Sequence, residues 1–223
     1  MSVQKKVNQN FFKEWTSEMA YVLGFFAADG NMVKSARGGH YFAFYGADRE
    51  ILVKMQEVME SNHKLSKRSS STGSVYRFQV GSKLMYEDLL GLGFSGNKAS
   101  RMTAPTVPHH LIGDFVRGYF DGDGNVWVGT INNKRATPTR VIQVSFTSGS
   151  RAFLIGLHLL LRQVGIKGGC IYSSKSANFS RLQLSVNDAL KLAEIMYNDG
   201  PKLFLKRKKL RFEQFKEKRA VVV

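Results

Sequence analysis

Two stretches of the chain share one pattern: Val22-Leu23-Gly24-Phe25-Phe26-Ala27-Ala28-Asp29-Gly30 and Val116-Arg117-Gly118-Tyr119-Phe120-Asp121-Gly122-Asp123-Gly124. Each is an apolar run with small residues four apart (Gly24 and Ala28, Gly118 and Gly122), closed by Asp-Gly-Asn. Residues four apart share one face of a helix, so each run predicts a helix with a bare stripe that lets another backbone come close. The natural partner of one stripe is the other. The chain therefore reads as a duplicated half that presents one carboxylate twice, at Asp29 and Asp123. Gly30 and Gly124 stand where a C-terminal glycine would stop each helix.

This arrangement works against stability. A carboxylate in the last turn of a helix meets the negative end of the dipole, at about 0.3–1 kcal/mol. Packing the two helices together adds repulsion between the acids. A divalent cation shared by the two would offset both penalties, and hard oxygen ligands suit Mg2+. Either Asp-Gly alone reads as a turn signal; the pair is what points to a metal. Asp121-Gly122-Asp123-Gly124-Asn125 also resembles the start of a calcium loop, but that loop needs glycine sixth and an acid twelfth, where this chain has Val126 and Asn132.

The charge balance narrows the partner. With 33 Lys+Arg against 17 Asp+Glu the chain carries +16, which points to a polyanion. A single cysteine, Cys170, excludes an internal disulfide framework and a cysteine zinc cluster. The start, Met1-Ser2-Val3-Gln4-Lys5-Lys6, lacks the apolar stretch of a secretion signal. The longest apolar run, Phe153 to Leu161, is too short to span a bilayer. A soluble intracellular protein is expected, of bacterial, phage or organellar compartment, with no membrane partner.

The repeat runs beyond the motifs. Phe44 through Asp48 to Leu52 aligns with Phe146 through Ser150 to Leu154, each a strand end passing a polar N-cap candidate into an amphipathic helix. These helices are expected over 51–59 and 153–164. Alternating segments 75–80 and 181–186 predict strands, and helices follow over 83–90 and 187–196. Pro105 and Pro108 mark a seam, giving halves 1–108 and 109–223. Around the strand pairs lie Lys34, Arg37, His40, Tyr41, Lys67, Arg68, Arg77 and Gln79 in the first half. The second half has Lys134, Arg135, Arg140, Gln143, Lys175, Asn178, Arg181 and Gln183. Arg with Gln or Asn at alternating strand positions suits base edges in a major groove, and Lys suits phosphates.

The paired motifs resemble those of the LAGLIDADG homing endonucleases, in the single-chain form with two motifs, over about residues 16–215. The sixth motif position is Ala27 in one copy and Asp121 in the other, while the eighth, which holds the family's metal-binding acid, is Asp in both. The resemblance implies an α+β fold of two pseudo-symmetric αββαββα halves, with the motif helices at their interface and the sheets forming a saddle on double-stranded DNA. It implies metal roles for Asp29 and Asp123 and a structural or outer place for Asp121. It also implies a basic residue beside each acid, matched by Lys98 and by Lys208, with Lys206 and Lys209 as alternatives. Gly46 and Ser148 align where some members carry a glutamine, so that contact is absent or moved to Gln143. The implied activity is metal-dependent hydrolysis by a functional monomer that cuts both strands of a long, imperfectly palindromic site. The implied cofactor is Mg2+, as two or three divalent ions, with Mn2+ expected to substitute. A catalytically silent maturase or nucleic-acid-binding regulator would keep the saddle without needing both acids. The intein-embedded form is disfavoured, because position 1 is neither Cys nor Ser and no terminal His-Asn is present.

Overall fold

The computed structural model describes residues 4–71, 73–96, 102–132, 134, 136–174 and 178–220. Its first half runs α1 (Ser17–Asp29), β1 (Gly30–Lys34), β2 (His40–Gly46), α2 (Arg49–Val58), β3 (Leu65–Ser70), β4 (Gly73–Gly81) and α3 (Lys83–Gly91). After a short 3-10 turn at His109–Leu111 the order repeats: α4 (Ile112–Asp123), β5 (Gly124–Ile131), β6 (Thr139–Ser148), α5 (Arg151–Gln163), β7 (Cys170–Ser173), β8 (Ser180–Leu184) and α6 (Val186–Tyr197). One further helix, α7 (Lys206–Ala220), follows. The expected αββαββα repeat is present, and each half builds an antiparallel sheet, β1-β2-β4-β3 and β5-β6-β8-β7.

α1 and α4 meet along the glycine stripes. A Cβ on Gly24 would lie 2.0 Å from the Phe115 carbonyl oxygen, and one on Gly118 would lie 2.0 Å from that of Tyr21. The contact is mutual and made by main chain on main chain, so no side chain larger than hydrogen fits at either crossing point. Gly122 opposes Ala28, where an added Cβ would stand 2.4 Å from the Ala28 methyl. The glycines expected to stop the helices do follow their last residues as C-caps. Gly30 and Gly124 have φ of −91° and −86°, ordinary extended backbone, so neither ends its helix by a left-handed turn. Each instead leaves room for the ring four residues earlier: a Cβ there would meet Phe26 at 2.2 Å and Phe120 at 2.3 Å.

Those rings begin the core. Phe26 packs edge-on against Phe44, which stacks on Phe78. Phe120 packs on Phe146, and Tyr119 packs on Phe153. The two halves share one continuous hydrophobic cluster. Along β2, Phe42 and Phe44 are buried whereas Tyr41 and Tyr45 lie on the opposite face, the period-2 signature of a sheet covered on one side. Helices α2 and α5 start within two residues of the expected points. Ser150 caps α5 by accepting from the Phe153 amide at 3.2 Å. Asp48 makes no such cap bond and turns to α7 instead. Cys170 is exposed on β7. Among the described residues, no helix is long and apolar enough to cross a membrane.

Candidate active site and sheet face

Asp29 is the last residue of α1 and half-buried; Asp123 is the last residue of α4 and exposed. Since the helices cross at Gly24 and Gly118, their C-terminal ends lie together. A Cβ on Gly122 would stand 3.0 Å from Asp29 Oδ2, so the first acid abuts the residue preceding the second. Both carboxylates also act on one buried phenol. Tyr119 donates to the Thr147 carbonyl at 2.7 Å, and burial, with the charges of Asp123 and Asp29, pushes its hydroxyl well above the usual range.

Positive charge enters from α7. Lys208 is 6% exposed. Its Nζ donates to the carbonyl oxygens of Phe120 at 2.5 Å, Gly124 at 2.6 Å and Asp121 at 2.8 Å, and lies 3.4 Å from that of Gly122. An ammonium has three protons, and the end of α4 takes all three. Burial lowers the Lys208 pKa to about 8, against the opposing pull of Asp121 and, farther off, Asp29 and Asp123. The resemblance implied a basic residue beside the acid; the geometry locks this lysine onto the end of the helix that carries Asp123. Of the alternatives, Lys206 pairs with Glu50 at 3.8 Å and Lys209 with Glu213 at 3.5 Å. Lys98 lies outside the described residues.

Asp121, 3% exposed, ties three elements together. Its Oδ2 accepts from the Tyr21 hydroxyl of α1 at 2.7 Å and from the Leu205 amide at 2.8 Å. Its Oδ1 is buried with no hydrogen-bond partner among the described residues. Burial raises its carboxyl to about 6, in spite of Tyr21, Lys208, Leu205 and Arg117. Arg117 binds the same segment, donating to the Leu203 carbonyl at 2.9 Å and the Met196 carbonyl at 2.8 Å while pairing with Asp114. Residues 202–208 thus form a strap. It also reaches the first half, through Lys202 to Glu18 at 3.0 Å and Arg207 to Asp48 at 2.7 Å.

The uncovered face of each sheet is fixed by register. In the first sheet Tyr41, Arg68, Arg77 and Gln79 share it, with Asn31, Val33 and Tyr45. In the second it holds Gln143, Arg181 and Gln183, with Asn125, Trp127 and Tyr172. Four candidates fall elsewhere. Lys67 pairs with Tyr76 and Arg140 with Thr130, both on the opposite face. Lys34 and His40 pair with each other at the hairpin end, in register with buried Met32 and Phe42, and the His40 ring packs edge-on against Tyr86. These four sit an odd number of positions from the outward residues, which reverses the side chain. Arg37 and Lys134 lie in turns and Asn178 in a loop. Arg135 and Lys175 are outside the described residues. Gly46 and Ser148 bring no amide to the acids: Ser148 Oγ accepts from the Ser150 amide at 3.1 Å. The face residues missed from sequence were legible in principle by counting in twos from Phe42, Phe44 and Phe146.

Residues 111–196 match the model of the LAGLIDADG-like domain family. Solved structures extend the likeness to both halves. Meganuclease I-SmaMI bound to uncleavable DNA superposes with a TM-score of 0.60 at 12% identity, over 88% of this chain and 88% of that one. I-DmoI in complex with DNA and Mn gives 0.54 at 14%, over 81% and 97%. The LAGLIDADG homing endonuclease I-LtrWI bound to target DNA gives 0.55 at 13%, over 95% and 92%. Among curated proteins, an A-type ATP synthase component of Methanopyrus kandleri is 25% identical over 150 residues; the match spans 67% of this chain and 13% of that protein's length.

Proposed function

We propose, taking as premise the LAGLIDADG homing-endonuclease fold that both halves of this chain build, that the protein is a site-specific DNA endonuclease that makes a double-strand break by metal-dependent phosphodiester hydrolysis. The observation that carries the reading is the meeting of Asp29 and Asp123 at adjoining helix ends. Each helix there runs directly into the first strand of a sheet with one uncovered face. In this reading the halves join near residue 108 and act as one monomer on one duplex.

The donor set suits a hard cation. Two carboxylates meet at the helix ends, and among the described residues no group of three or more His, Cys, Asp or Glu is placed to hold a metal ion by itself. Mg2+ is commonly held by one or two carboxylates, with phosphate and water completing its shell. Bound divalent ions would supply the Lewis acidity that lowers the pKa of an attacking water and stabilises the leaving 3′ oxygen. The chain's own work is placement. Asp29 and Asp123 would hold the cations, one acid for the cleavage of each strand. Lys208 holds the carbonyls at the end of α4 and so fixes the segment whose Asp123 side chain would ligate in the second half. Lys98 would serve the first half. That I-DmoI was solved with DNA and Mn supports a divalent ion here as well.

Sequence reading falls to the uncovered faces. Arg77 and Gln79 in one half, and Arg181, Gln183 and Gln143 in the other, offer donors and acceptors matched to guanine and adenine edges. Lysines and the loop residues Arg37 and Lys134 hold phosphates. The test is incubation with a randomised duplex library in Mg2+ and sequencing of the cut ends. The expected product is one enriched site with both strands cut, flanked by imperfect inverted repeats. Arg77→Ala and Arg181→Ala should each relax one different base position by about 1–3 kcal/mol. Absence of cutting in both Mg2+ and Mn2+ would overturn the reading, as would cutting that survives loss of both acids.

A further inference from the structure

We propose that Trp127 is a specificity residue that selects thymine in the part of the target covered by the second sheet. This rests on the DNA-cleaving reading above. Trp127 keeps 44% of its surface exposed on a face that it shares with the exposed Ile131 and Tyr172 and with the polar Asn125, Gln143 and Gln183. Large exposed side chains gathered on one face of a sheet, rather than a single one, point to a surface that something covers in use.

The ring has a built seat. Gly129, two residues further along β5 and on the same face, would place a Cβ 2.2 Å from Trp127 Cζ2 and 2.6 Å from Cη2. The missing side chain lets the indole lie over the strand with its remaining surface turned outward. The first sheet repeats the device in the matching row. Val33, the third residue after Gly30 as Trp127 is the third after Gly124, is 50% exposed and pairs with Tyr41. The Tyr41 ring lies over Gly81 and Gly39, where added Cβ atoms would stand 3.1 and 2.7 Å away. An exposed ring seated on glycine at the same level of both halves is a repeated feature of the face.

Chemistry then names the partner. Of the groups that base edges present in the major groove, the thymine 5-methyl is the one alkyl group. Gln143 stands directly across the ladder from Trp127, and a glutamine amide matches the N6/N7 edge of adenine. The two side chains together fit a T·A pair, the indole on the methyl and the amide on the purine.

The experiment starts from the duplex enriched by the library selection. Each thymine is replaced singly by deoxyuridine, which removes only the methyl, and binding of the full chain is measured in Ca2+. One replacement under the second sheet should weaken binding about fourfold, the worth of one buried methyl. Trp127→Ala should weaken binding to the thymine duplex by a similar factor and abolish the difference between thymine and deoxyuridine. Gly129→Ala, which must displace the ring while keeping it, should shrink that difference. The assignment is overturned if no deoxyuridine substitution matters, if the penalty persists in Trp127→Ala, or if Trp127→Ala weakens all sequences alike. Failure of the selection to enrich any duplex would overturn the endonuclease reading, and this assignment with it.

Discussion

At the end of α1 the residue two before the acid is Ala27; at the corresponding place in α4 it is Asp121, and both are 3% exposed. Ala27 needs only apolar neighbours. Asp121 needs a phenol from α1, an amide from residue 205 and the nearby charge of Lys208, and even so leaves one oxygen unpartnered among the described residues. The sheets diverge as well: β5 and β6 hold 8 and 10 residues where β1 and β2 hold 5 and 7. Duplication therefore preserves what the helix crossing and the core require and leaves the helix ends and hairpin lengths free to differ. A homodimer would have to repeat each change in both halves; a single chain can place a buried charge in one alone.

The comparison breaks most directly at the acids. Asp29→Asn and Asp123→Asn should each lower double-strand cleavage by about a thousandfold, the several kcal/mol expected of a metal ligand, while DNA binding by anisotropy stays within a fewfold. Undiminished cleavage by either variant would end the equivalence of the two helix ends. The helix crossing is the most symmetric feature. Gly24→Ala and Gly118→Ala must each push two backbones apart and should cost about 3 kcal/mol or more in urea unfolding. Losses that differ strongly would show one helix yielding more than the other.

Asp121 sharpens the asymmetry through pH. Its folded pKa of about 6 lies above the ordinary 3.8, so the folded state holds this proton more tightly than the unfolded chain. Stability from this group is present below about pH 4 and lost as pH rises to about 6, by up to about 3 kcal/mol. Asp121→Asn should flatten that part of the profile, read as the difference between wild type and variant in EDTA. An identical slope in both would remove the acid from the account. Arg207→Ala should have the smallest effect. The pair with Asp48 is largely exposed, worth about 0.2–1 kcal/mol, and a thermal melt shifted further would show that this contact carries more of the strap than its exposure suggests.

Much of the fold was legible because it rests on local periodicity. Small residues four apart announced the crossing, and alternation over 75–80 and 181–186 announced the sheets. That Gly30 and Gly124 close the helices was legible; why glycine stands there was not, because its reason, the rings of Phe26 and Phe120, lies in packing. Lys67 and Arg140 were grouped with Arg77 and Gln143 by type and nearness in sequence, whereas face is decided by parity within a strand. The strap could not be foreseen: Leu205 meets Asp121 across 84 positions, and no local pattern encodes that contact.

The strap also bears on the order of events as the chain is made. α4 leaves the ribosome with Asp121 on its inner face, but the amide and ammonium that answer it arrive more than eighty residues later. Until then, closing the two halves would bury a carboxylate with few partners, a penalty of kcal/mol scale. The nascent chain can form its sheets early, yet has reason to delay the docking of α1 on α4 until residues 205–208 emerge. A protein arranged in this way brings its two acids together last, so that an interrupted synthesis leaves a partly folded fragment in which Asp29 and Asp123 have not met.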